Sequence, residues 1–163
     1  MTGADDADHN VPAVAAGELP TLLAFLDYLR ECVDRKLDGL SEDDARRSPV
    51  ASGTCVLGLV KHLALVEAYW AQRRLAGLDI ALAGDGFTLA DDDDVTSVRR
   101  AYALAARRTN EIVTACEDLN RPLARGRHGL TVRWMLTDLL EETARHAGHA
   151  DILRELIDGH RGR

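Results

Sequence analysis

Asp138-Leu-Leu-Glu-Glu-Thr-Ala-Arg-His-Ala-Gly-His-Ala-Asp-Ile-Leu153 alternates apolar and polar residues at helical spacing. It places Asp138, Glu142, His146 and His149 at steps of four, four and three. Residues three and four apart stack on a helix surface, so these side chains form one stripe. Carboxylate oxygen and imidazole nitrogen are donors that zinc, nickel and iron(II) accept. A chemical site in this chain is expected here.

Outward from that stretch, Val132, Met135, Leu136, Leu139, Leu140, Ile152, Leu153 and Leu156 supply apolar positions for a helix. It opens at Leu130 and Thr131 and runs to about Asp158, before Gly159. A helix from about Val95 to Leu119 precedes it, apolar through Val98, Tyr102, Ala105, Ile112 and Val113. Arg99, Arg100, Arg107 and Arg108 make its solvated face. Thr54 opens another helix that reaches Ala76 and is closed by Gly77, with Leu59, Leu63, Val66 and Trp70 as its core stripe. His62 lies beside that stripe, while Glu67, Arg73 and Arg74 are expected on the outer face. The first helix starts at Pro20, buries Leu22, Leu26, Leu29, Val33 and Leu37, and stops at Gly39. Ser41 with Asp44 resembles a capping box and predicts a short helical turn before Pro49. The pattern is therefore all-α: a four-helix bundle with a long connection between its second and third helices.

That connection, Asp79 to Asp94, ends in four consecutive aspartates. The spaced ligands and central glycine of a calcium loop are missing. The run instead charges and caps the start of the following helix, where negative charge is favoured. Residues 1–17, with Asp5, Asp6 and Asp8, read as a flexible tail; residues 18–163 read as a single domain. His9 and His128 read as surface residues.

A chain of 163 residues is long enough for a substantial core, and 46% apolar content is ordinary for a globular protein. With 4% aromatic residues that core is mainly aliphatic. A net charge of −7 argues against general nucleic-acid binding, which needs a basic face. Cys32, Cys55 and Cys116 are widely spaced in apolar-periodic segments and read as reduced, buried packing residues. The acidic N-terminus does not resemble a secretory signal, and no apolar run approaches the roughly 20 residues of a membrane span. A cytoplasmic protein is expected. Small helical bundles also pair through an outer helix face, which leaves room for a homodimer.

Spacing alone leaves two readings of Glu142 and His146. They could form a solvated pair worth a few tenths of a kcal/mol to the helix. They could instead approach one cation from the same side, with His62 as the supplier from a facing helix. Three protein ligands would leave positions open for water or substrate, as catalytic sites require. Four polar groups in one stripe tilt the balance toward a site.

Gly53-Thr-Cys-Val-Leu-Gly-Leu-Val-Lys-His-Leu-Ala64, Val66-Glu-Ala-Tyr-Trp70 and Arg133-Trp134 resemble the mycothiol-transferase branch of the DinB-like superfamily. So does Glu141-Glu-Thr-Ala-Arg-His-Ala-Gly-His-Ala-Asp-Ile-Leu-Arg-Glu-Leu-Ile-Asp-Gly159, and the similarity extends from about Pro20 to Gly159. The resemblance implies a four-helix bundle with one divalent metal, zinc first, with nickel or iron as alternatives. The implied ligands are His62, Glu142 and His146. Glu at the middle position resembles the thiol-dependent maleylpyruvate isomerase branch. Asp138 departs from the pattern, since close relatives carry His one turn before the Glu. Asp138 and His149 are the candidates for moving a proton or for supporting a ligand from behind. Arg145 is a candidate for binding anionic or sugar groups of a cosubstrate.

A divalent cation with open positions lowers the pKa of a bound thiol. The expected function is therefore a metal-dependent thiol S-transferase, or a thiol-dependent isomerase, acting on a small electrophile. Mycothiol is the implied cosubstrate of an actinobacterial protein. The alternative is a non-catalytic bundle that binds metal or a small molecule.

Overall fold

Thr131 caps the helix that carries the ligand stripe: its hydroxyl accepts the Trp134 N–H at 3.3 Å, and Gly159 closes the far end with a left-handed φ of 77°. The computed structural model describes residues 11–12, 17–82, 84–126 and 129–161. Most of the N-terminal tail, His9 and His128 lie outside the described residues.

Five α-helices are present among the described residues: α1 (Glu18–Asp34), α2 (Glu42–Arg46), α3 (Val56–Glu67), α4 (Val95–Thr114) and α5 (Val132–Asp158). The short α2 is capped by Ser41, whose hydroxyl accepts the Asp44 N–H as the capping pattern predicts. Asp94 caps α4 in a reciprocal capping box with Ser97, so the acidic run does serve that helix start. Among the described residues no strand forms, only an isolated bridge between Pro122 and Thr131. The long helices make an all-α bundle in which α3 packs on α4 and α5 while α1 packs on α5 and α4. No helix among the described residues is long and apolar enough to cross a membrane.

Four sequence expectations are corrected. The helix predicted from Thr54 to Ala76 is α only to Glu67, and Ala68–Leu75 continues as a π-helix. Its wider winding shows in the Ala76 N–H bonded to the Ala71 carbonyl five residues back. Gly77 does close it, with φ +72°. The third long helix stops at Thr114 rather than near Leu119. Beyond it, Leu119 and Arg121 give their carbonyls to the N–H groups of Arg133 and Val132, which draws the chain alongside the start of α5. Ile152 and Leu156 stay more than half exposed, because Ala150 and Leu153 take the inward positions of that turn.

Glu67 is the fourth. It was expected on the outer face, yet it is 1% exposed. Arg30, itself buried on α1, grips both its carboxylate oxygens at 2.7 and 2.8 Å, and also reaches Asp27 and Asn110. A buried carboxylate survives only when paired and fully hydrogen-bonded.

The core falls into two apolar clusters. One gathers Leu37, Val56, Leu59, Leu63, Ala150 and Leu153; the other gathers Leu26, Leu75, Val113, Met135, Leu136 and Leu139. Along α5 the turn from Glu142 to His146 falls between them. All three cysteines are free and buried, as expected. Glu67→Ala takes the bidentate partner from the buried Arg30 and leaves it only Asp27 and Asn110, and urea denaturation should show a loss of about 3–5 kcal/mol.

Candidate metal centre

His62 projects from the middle of α3 toward the α5 stripe. Its Nε2 lies 3.2 Å from Glu142 Oε1, and His146 Nε2 lies 3.0 Å from the same oxygen. The three candidate ligand atoms all fall within 4.8 Å of one another. Four ligands placed tetrahedrally about 2.0–2.1 Å from a zinc ion would be separated by roughly 3.3 Å. The two measured edges fit that requirement.

The proton count around these atoms matters as much as the spacing. His62 Nδ1 is hydrogen-bonded to the carbonyl oxygen of Asp85. A carbonyl only accepts, so Nδ1 carries a proton, and in the ring's neutral form Nε2 presents a lone pair. That lone pair faces a carboxylate oxygen, which is also an acceptor. On the other side, burial pushes the His146 pKa down to about 4, and the neighbouring His62, His149 and Arg145 further disfavour a positive charge there. His146 is therefore neutral at pH 7. Its Nδ1 faces His149 Nδ1 at 3.3 Å. When that contact carries the His146 proton, Nε2 too is left with a lone pair. Three electron-pair donors then converge on one point, an arrangement that a cation relieves.

Arg145 turns its guanidinium to Glu141 and to Glu142 Oε2, leaving Oε1 to face the two imidazoles. Asp138 lies outside the converging group. Burial raises its pKa, and the nearby Glu141 adds to this, while Arg145 and a hydrogen bond from Trp70 oppose it. His149 is exposed beside His146, on the rim of a cleft with Ser52, Thr54 and Ile152.

The long connection before α4 was read from sequence only as a cap, and the structure brings its middle onto this site. Phe87 stacks flat on the His62 ring, with centroids 3.9 Å apart and planes 15° off parallel. Two glycines make that approach possible. A Cβ on Gly86 (φ +82°) would lie 2.6 Å from His62 Cα, and one on Gly58 would lie 2.8 Å from the Phe87 carbonyl oxygen. The signal available in the sequence was Gly84-Asp-Gly-Phe87, two glycines around a turn residue, together with a glycine one turn before His62. Nothing in that signal named the imidazole as the target.

The π-helix presents an aromatic group of its own. Trp70 meets Trp134 at 5.2 Å, and the Arg74 guanidinium lies 5.0 Å from the Trp70 ring centre. Such segments recur at functional sites.

A sequence model of the mycothiol-S-transferases matches residues 21–159. The chain belongs to the mycothiol-S-transferase family. It is thereby placed in the mycothiol-transferase branch of the DinB-like bundles, and family membership points to a small-molecule thiol as substrate. A comparison with curated proteins finds no match. In this mycothiol-S-transferase family member, the matched span takes in His62, Glu142 and His146 as well as the Asp85–Phe87 cover.

Two outcomes follow from the geometry. Gly86→Ala should destabilise the chain by about 1–3 kcal/mol more than Gly84→Ala, because both glycines have positive φ but only Gly86 meets His62. Thermal melts of the two variants make the comparison. The second concerns pH. His146 binds a proton near pH 4 when folded and near 6.5 when unfolded, so the unfolded chain holds more protons between those values. The metal-free protein should therefore lose stability as pH falls from about 6.5 towards 4, and His146→Gln should flatten that part of its melting profile.

Proposed function

We propose that this chain is a metal-dependent thiol S-transferase that uses mycothiol, with His62 Nε2, Glu142 Oε1 and His146 Nε2 holding one divalent cation. Zinc suits two imidazoles and a carboxylate, and nickel or iron(II) accept the same donors. The observation that carries the reading is the shared oxygen: two ring nitrogens approach Glu142 Oε1 at 3.2 and 3.0 Å. When bound, the cation would lower the pKa of a thiol so that thiolate persists at neutral pH.

The remaining roles belong to the chain itself. The Asp85 carbonyl fixes the His62 tautomer, and His149 Nδ1 can accept the His146 Nδ1 proton, so that both Nε2 atoms keep their lone pairs. With Nδ1 so engaged, His149 has its Nε2 side left to hydrogen-bond a departing group. Asp138, kept more basic than an ordinary carboxylate by burial, is suited to take the thiol proton. The sulfur–carbon bond then forms as the electrophile's leaving group departs with its electron pair. Where the acceptor is an activated alkene, thiol addition and elimination give isomerisation instead. Arg145 is half exposed, and the N–H groups it does not give to Glu141 and Glu142 remain for polar groups of the cosubstrate. Three buried free thiols suit a reducing cytoplasm.

Elemental analysis of the purified protein should find about one divalent metal ion per chain, as a single three-ligand site requires, and should find it lost in His62→Ala and in Glu142→Ala. Consumption of a bimane electrophile should need both mycothiol and that metal. Activity that persists after the metal is stripped would overturn the mechanism.

A further inference from the structure

The loop Ser52–Thr54 turns in front of α3, and the connection at Asp85–Leu89 passes the same end of that helix. Between them lies a depression of about 580 Å³, with Arg46, Ser52, Thr54, Asp85, Phe87 and Thr88 on its walls. A second depression of about 260 Å³ has Val50, Ser52, Thr54, His149, Ile152 and Leu153 on its walls. Ser52 and Thr54 border both, so the two adjoin as one cleft. It meets the candidate metal centre at two points. Phe87 stacks on His62, and His149 touches His146.

The lining narrows the chemistry of an occupant. Ser52 Oγ and Thr54 Oγ1 lie 2.9 Å apart and share one hydrogen bond. That bond uses one of their two protons and one lone pair, so a second donor and further acceptors remain. Arg46 and Asp85 bring one charge of each sign, which favours a neutral molecule over an anion. Ile152 is 58% exposed and offers an apolar wall beside the hydroxyls. Hydroxyl groups on one side and C–H faces on the other are what a sugar presents.

We propose that this cleft holds the hydroxyl-rich part of the thiol cosubstrate, the glucosaminyl-inositol portion of mycothiol, with Ser52 and Thr54 as its hydrogen-bonding positions and Ile152 as its apolar wall. The assignment rests on the thiol-transfer reading and adds where the non-reacting part of the molecule lies. With the sugar portion in the cleft, the sulfur end would lie towards His62 and His146, past Phe87 or His149.

The probe is N-acetylglucosaminyl-inositol, which lacks the thiol and therefore needs no metal. It is titrated by calorimetry into the full chain, metal-loaded and metal-free. Binding is expected in both forms. The double variant Ser52→Ala/Thr54→Val should weaken it by about fivefold to tenfold, the value of one or two lost hydrogen bonds. Ile152→Glu, at an exposed position that the fold tolerates, should weaken it too. The same variants should raise the KM for mycothiol while metal content and melting temperature stay at wild-type values. Probe affinity unchanged in both variants would overturn the cleft assignment, as would mycothiol turnover that the probe does not inhibit. Those outcomes would leave the thiol-transfer reading standing. Failure of both mycothiol and the probe to bind the metal-loaded protein would sink the two together.

Discussion

One carboxylate oxygen, Glu142 Oε1, faces two imidazole nitrogens from different helices. Lone pairs pressed together in a half-buried site repel, and the repulsion is stronger there than in water because the surroundings screen it poorly. Either a proton or a cation must lie among them. The depressed pKa of His146 keeps that ring neutral at pH 7, so it brings no positive charge of its own, and its one proton can sit on Nδ1 towards His149. The Asp85 carbonyl fixes the tautomer in which the uncharged form of His62 turns its Nε2 lone pair inward. That arrangement is the basis for proposing a positive ion among the three atoms.

The bundle makes this arrangement tolerable by placing it at a seam. Apolar packing above and below, from Ala147 to Leu153 on one side and from Val132 to Leu139 on the other, holds α5 in register against α1 and α3. The candidate turn between those blocks buries Thr143 and His146 but contributes to neither apolar cluster. The Arg30–Glu67 pair has a different status. Its charges are matched within the chain, bidentate and shared with Asp27 and Asn110, so it calls for no external ion. The buried Glu67 cluster and the half-buried Glu142 cluster are told apart by whether their charges and protons already balance.

Helix periodicity was legible because aliphatic stripes at spacings of three and four admit few other readings, and caps such as Ser41 and Asp94 marked their own helix starts. The candidate pair on α5 was legible for the same reason, since one helical turn fixes the relation of Glu142 to His146 whatever the tertiary fold. His62 was within reach only because a facing helix had to supply the third donor. Glu67 was misread because burial of a charge depends on a partner 37 residues away, which local spacing does not encode. The cover over His62 was missed on similar grounds. Its geometry depends on where an irregular segment crosses a helix, and only the paired clearances at Gly58 and Gly86 disclose it. The π-winding of Ala68–Leu75 left no mark in composition, since Tyr69, Trp70 and Arg74 fit an α-helical pattern equally well.

X-ray absorption at the metal edge of the purified protein tests the central claim most directly. A shell of nitrogen and oxygen neighbours at about 2.0–2.1 Å with imidazole scattering from two rings is expected, and His62→Ala should abolish that shell together with the bound metal. A sulfur-dominated shell, or a spectrum unchanged by loss of His62, would contradict a cation held between α3 and α5.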